Sequence, residues 1–172
     1  LKKIIYILFI FTLTNCNQMS EIEKALLIED QTESILTIYD ILWKKTEPFD
    51  DFENLNEEEI NFLYLEILEA EINNGGFDQY FFNSSGDYAI EALEALKKIG
   101  AFKTAKIVEE AYSHFPENPI PKDNEKRQEI LVAIDLKVSE KWKLLEDEFY
   151  SNDENIGELV LSYVKNNIER FK

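Results

Sequence analysis

The stretch 72–86, INNGGFDQYFFNSSG, limits what this chain can fold into more than any other. Asn73-Asn74-Gly75-Gly76 is a strong helix stop, because Gly and Asn tolerate the left-handed backbone that closes a helix. Four aromatics follow within six residues, Phe77, Tyr80, Phe81 and Phe82, with Asp78 and Gln79 among them. Asn83-Ser84-Ser85-Gly86 then breaks the chain again, and Ser84 with Asp87 three residues on fits a capping box for a new helix. A segment this aromatic, pinned between two glycine hinges, must be buried against something. One reading is a core plug on which neighbouring helices pack, the usual work of such side chains. The other is a ligand pocket lined by Asn74, Gln79 and Asn83.

The rest of the chain repeats at helical spacing. Ile35, Ile38, Tyr39, Leu42 and Trp43 predict an amphipathic helix over 32–45. Asn56 is a good N-cap, Leu55 with Ile60 fits a hydrophobic staple, and a helix over 57–73 turns Ile60, Leu63, Tyr64, Ile67 and Leu68 inward. Its first turn, Glu57-Glu58-Glu59, suits the positive end of the helix dipole. Beyond the central stretch, Ala89, Ile90, Leu93 and Leu96 stripe a helix over 88–99 that Gly100 stops, with Glu94 and Lys98 as an i,i+4 pair. Ala105, Val108, Ala111, Tyr112 and Phe115 face inward from the next helix, 102–115, which completes an αα-hairpin. Pro116, Pro119 and Pro121 hold a loop, Asp123 can cap the helix after it, and a bend near Val138-Ser139 would divide the long pattern ending at Phe149. Ser151 with Glu154 fits a capping box for a last helix striped by Ile156, Val160, Val164, Ile168 and Phe171. Nothing alternates as a strand. The expected fold is all-α, a single-domain helical bundle of about six to seven helices.

The amino end reads as an export signal. Lys2-Lys3 is followed by an apolar run over 4–13, too short to span a bilayer and suited to a signal peptide. Leu13-Thr14-Asn15-Cys16 resembles a bacterial lipobox, with Asn15 departing from the usual small residue. The expected organisation is a signal peptide over 1–15, a tether over 16–31 from a lipidated Cys16, and the helical domain over 32–172. That implies the bacterial cell envelope, at the outer membrane if Asn17 does not retain it, and the cytoplasm if the signal is not used.

Charge and composition exclude much. The 172 residues carry 35 acidic against 18 basic side chains, a net charge of −17, a field that repels nucleic acid and attracts cationic partners. With 45% hydrophobic residues the chain is too apolar to be disordered. One cysteine and one histidine, His114, leave no internal disulfide, no His-rich metal site and no Ser-His-Asp triad. Asp153–Glu158 opens like a calcium loop, but Gly157 and Glu158 stand at the wrong positions. No phosphate-cradling or nucleophile-elbow motif is present, and so many carboxylates single out no catalytic pair. The expectation is no enzyme, no cofactor and no metal.

NNGGFDQYFFNSSGD followed by AIEALEALKKIGA resembles the signature of the DMP19-like family, over about 56–168. Asn74, Gly75, Gly76, Phe77, Gln79, Phe82, Asn83 and Gly86 carry the resemblance, in a structural role. It implies an acidic, dimeric, all-helical protein of the DNA-mimic kind that binds a transcription factor. The candidate partner surface is then carboxylate: Asp50, Asp51, Glu53, Glu57, Glu58 and Glu59 in one group, and Glu146, Asp147 and Glu148 in another. Duplex DNA carries a charge every ~1.7 Å of its axis, so a mimic needs such groups aligned. The expected function is a non-enzymatic module that engages a basic protein partner, with homodimerisation and no direct nucleic-acid binding. The alternatives are an envelope lipoprotein of immunity or interaction type that binds a cationic effector, and a small-ligand binder or carboxylate enzyme at the central stretch.

Overall fold

Six helices begin at a side chain that accepts a hydrogen bond from its own first turn: Ser20, Asp30, Asn56, Asp123, Asp135 and Asn155. Each satisfies an N–H that helix geometry would otherwise leave open. The computed structural model describes residues 19–47 and 51–171. Within them the helices are α1 (Glu21–Ala25), α2 (Gln31–Trp43), α3 (Glu57–Phe82), α4 (Ala89–Ile99), α5 (Phe102–Ser113), α6 (Asn124–Val132), α7 (Leu136–Ser151) and α8 (Ile156–Asn166). Short 3-10 turns occupy Ser84–Tyr88 and Ile168–Arg170, and no strand occurs among the described residues. The fold is all-α, with more helices than the six to seven expected. The export signal, Cys16 and Asp50 lie outside the described residues.

α3 is the axis of the bundle, packed against α2, α4, α6, α7 and α8. Phe62, Leu63, Leu65, Leu68 and Ile72 are buried along its first arm. At Gly75 and Gly76 the backbone leaves helical geometry, and Gly76 takes φ 75°. The second arm, 77–82, then resumes as helix, so the expected glycine hinge separates two helical pieces. Phe77, Tyr80 and Phe81 on this arm are at most 1% exposed. Phe81 sits at the centre of a ring cluster, 5.4 Å from Tyr112 and 5.1 Å from both Phe115 and Trp142. The core-plug reading holds for these three rings. Phe82 faces out.

Several local expectations give way to longer-range contacts. Within the stretch expected to tether, α1 forms over Glu21–Ala25 and buries Ile22 and Ala25. Ser84 and Asp87 form no capping box, because Asp87 is drawn into an ion pair with Arg127. Ile90 is exposed, and Ala92 and Ala95 take its place in the core. Lys98 pairs with Glu57 at 2.6 Å instead of Glu94, which approaches Lys97. The long pattern after Asp123 breaks at 133–135, ahead of Val138, where Asp135 caps α7. Ser151 donates to the Asp147 carbonyl, and Asn155 caps α8 in its stead.

Candidate functional site

The break in α3 is held from both sides. Glu146, on α7, accepts the Phe77 amide at 2.8 Å, which caps the second arm where its own chain supplies no partner. Burial raises the Glu146 carboxyl above its usual range, partly offset by this bond. On the opposite side Glu71 accepts from Gln79 at 2.6 Å, Asn83 at 2.9 Å and Ser85 at 2.9 Å. Asn74 in turn donates to Gln79 at 3.1 Å. All three donors to Glu71 are neutral, so none of them balances the carboxylate with a positive charge.

The turn after the second arm hangs on one buried arginine. Arg127 is 0% exposed and donates to the carbonyls of Phe81, Asn83 and Pro121 at 2.9 Å and of Lys122 at 2.8 Å, besides pairing with Asp87. The planar guanidinium has enough donors for all of them, which a lysine would lack. Gly86 is required here by space: a Cβ would stand 2.8 Å from Arg127 Nε and 2.9 Å from the Tyr80 carbonyl.

These restraints shape a groove of about 880 Å³ between α2, the loop at Phe52, the first arm of α3 and the turn 84–88. Its wall is aromatic. Tyr39 and Trp43 stack at 5.5 Å with planes 11° apart, and Phe52 lies 5.4 Å from Tyr88. Its floor is Glu66, Ile67, Ala70, Glu71 and Asn74, the residues of one helix face, with Gln79, Asn83 and Ser85 opposite. Asn74, Gln79 and Asn83 therefore do line a concavity, as the second reading of the motif held, while the aromatic side of the same segment faces the core. A smaller groove of about 490 Å³ runs on the other side of Leu36, Glu66 and Ala70, towards Phe149 and Ile156.

Glu66 stands between the two grooves. Its Oε1 is buried without a hydrogen-bond partner, and burial, with the nearby Glu69, pushes the carboxyl up to about 8. Glu69 is raised as well, also by burial. Among the described residues no Lys, Arg or His lines either groove. Nor is any group of three or more His, Cys, Asp or Glu among them placed to hold a metal.

The carboxylate groups singled out from sequence are dispersed into different roles. Glu59 is buried, completes the Asn56 capping box and bonds Lys45 at 2.6 Å. Glu57 pairs with Lys98, and Glu58 with Arg170 at 3.1 Å, a bond that lowers the Glu58 carboxyl. Asp51 accepts from the Glu53 amide at 3.2 Å and Glu53 is exposed. Glu146 is the cap on Phe77, whereas Asp147 and Glu148 are exposed beside it. The first group thus sits at the start of α3 and the second at its break, ~27 Å apart at 1.5 Å per residue. Glu71, Glu66 and Arg127 were not legible as site residues. The only local hint was Glu71 at i−3 from Asn74.

A family model described as DMP19-like protein matches residues 53–167, which spans the first arm of α3, its break, the groove floor and the Arg127 clamp. No curated protein and no solved structure matches the chain. On the family model, the chain belongs to the DMP19-like protein family.

Proposed function

We propose that the protein is an acidic binding module that engages a basic protein partner and catalyses no reaction of its own. The observation that supports this reading is the run of carboxylates along α3. It passes from Glu57 and Glu58 through Glu69 and Glu71 to Asp78, Glu146 and Asp147 beside the break, with grooves between that no basic residue lines among the described residues. At the start of α3, Lys45, Lys98 and Arg170 pair with Glu59, Glu57 and Glu58.

The density of charge bears on the kind of partner. One DNA strand presents about eight phosphates in ~27 Å, more than the first arm of α3 carries. Duplex mimicry in the manner the family resemblance implies would therefore need carboxylates from outside that arm. A basic segment seated along α3 does not. Lipidation of Cys16 would place the meeting at the bacterial envelope, and labelling with a palmitate analogue tests that directly.

Affinity capture tests the module itself. The full chain and an Asp51→Asn, Glu53→Gln, Asp147→Asn, Glu148→Gln variant are used as bait at about 50 mM and about 500 mM salt, where screening lengths differ severalfold. The expected result is a basic protein retained by the natural chain at low salt and lost from the variant. Equal retention by both at either salt overturns the reading.

A further inference from the structure

We propose that the groove at the α3 break takes an arginine side chain carried on the basic segment of that partner. The guanidinium would lie against the stacked Tyr39–Trp43 pair, with the Glu71 carboxylate on the floor beneath it. This rests on the acidic-module reading and adds a specific contact to it.

The aromatic wall is the first support. Tyr39 and Trp43 pack against the core on one side, are only part-buried, stack on each other with near-parallel planes and line the groove. A cation over a Trp face is the strongest of the cation–π contacts, and a planar guanidinium stacks where an ammonium cannot. The floor is the second. Glu71 is fixed by three neutral donors, so its orientation is set before any ligand arrives. The third is charge complementarity: the donors that hold Glu71 are all neutral, and among the described residues no Lys, Arg or His lines the groove, Arg127 being paired with Asp87. Ile67, Leu36 and Phe52 supply apolar surface for the arginine methylenes. Asn74, Gln79 and Asn83 leave polar groups along the rim for the backbone of a peptide.

The test uses the full chain and three fluorescently labelled nonapeptides, identical except for arginine, lysine or citrulline at the centre. Fluorescence anisotropy at low salt is expected to rank them arginine, lysine, citrulline. Trp43→Ala and Glu71→Gln should each weaken the arginine peptide about tenfold, the size of a partly desolvated cation–π or ionic contact. Asp147→Asn with Glu148→Gln, which lies outside the groove, should leave it within about twofold. Trp43→Phe, which keeps a ring, should recover much of the loss and guards against misfolding of the Ala variant. Citrulline binding as tightly as arginine, or lysine matching arginine, overturns the proposal. So does the absence of binding. If affinity instead falls only in the Asp147→Asn, Glu148→Gln variant, the groove is not the site while the acidic-exterior reading stands.

Discussion

Asn83 donates to both oxygens of Glu71, at 2.9 Å and 3.1 Å, across the Gly75–Gly76 break, so one carboxylate ties the two arms of α3 into a fixed angle. The arms could hinge at two consecutive glycines. What holds them is Glu71 on the groove side and Glu146 on the other.

Removing Glu71 should therefore loosen the groove before it unfolds the domain. Glu71→Ala removes the acceptor that Gln79 and Asn83 share and leaves Ser85 only the long bond to the Tyr80 carbonyl, but these groups can turn to water. The loss expected is ~1–2 kcal/mol. Thermal unfolding by circular dichroism should show a drop of about 3–6 °C for a chain of this length. An unchanged midpoint would mean that the network does not restrain the break.

The two glycines should respond differently to alanine. Gly76 has φ 75°, and an added Cβ would collide with the Glu146 carboxylate that caps Phe77. Gly76→Ala should lose ~2–3 kcal/mol, from left-handed strain together with a displaced cap. Gly75→Ala has no left-handed strain but would press on Gln79, its Cβ at 2.8 Å included, and should lose less than Gly76→Ala. Urea titration of both variants separates them, and equal losses would remove the special role given to Gly76.

Arg127 should matter more than either. Replacing it with Met strands four carbonyls and Asp87, at a loss of ~3–5 kcal/mol typical of breaking a buried charged network. The same substitution at exposed Lys126 provides the comparison in urea, and a midpoint shift no larger than that control would contradict the clamp.

Glu66 sets a pH dependence with a definite sign. Its folded carboxyl, pushed up to about 8 from 4.5, holds its proton in a range where the unfolded chain has lost it. Stability from this group is thus greatest near pH 4.5 and falls as pH rises to about 8. Glu69, also raised by burial, acts in the same direction. Glu66→Gln should flatten the decline, the natural chain losing on the order of 3 kcal/mol more than the variant between about pH 5 and 9. Urea unfolding at the two pH values measures it. Parallel slopes for the two proteins would show that Glu66 is ionised in the fold.

The helices were largely readable because they rest on near neighbours: Asn56 and Asp123 cap where the local pattern placed them, and Gly100 ends α4 in the left-handed region at φ 87°. The hinge was readable for the same reason. The site was readable by half. Asn74, Gln79 and Asn83 could be named as pocket residues, but Arg127 reaches Phe81 from 46 positions away and Glu146 reaches Phe77 from 69, distances over which no spacing rule operates. Asp87 and Glu154 were misplaced by the same effect. Each fits a local cap in sequence, and each is recruited by a remote donor, Arg127 for the first and the start of α5 for the second.

The central claim is that the family motif turns its rings to the core and its amides to a cation-binding groove, and the two tryptophans report on the two sides. Trp142 is 1% exposed and bonds the Ala111 carbonyl at 2.8 Å, whereas Trp43 lines the groove. Nitrogen–proton correlation spectra of the full chain, titrated with an arginine-centred peptide, should show saturable shifts at the Trp43 indole and the Gln79 and Asn83 side-chain amides, with the Trp142 indole unmoved. Shifts confined to Asp147, Glu148 and other exposed carboxylate-bearing segments, with Trp43 silent, would contradict it.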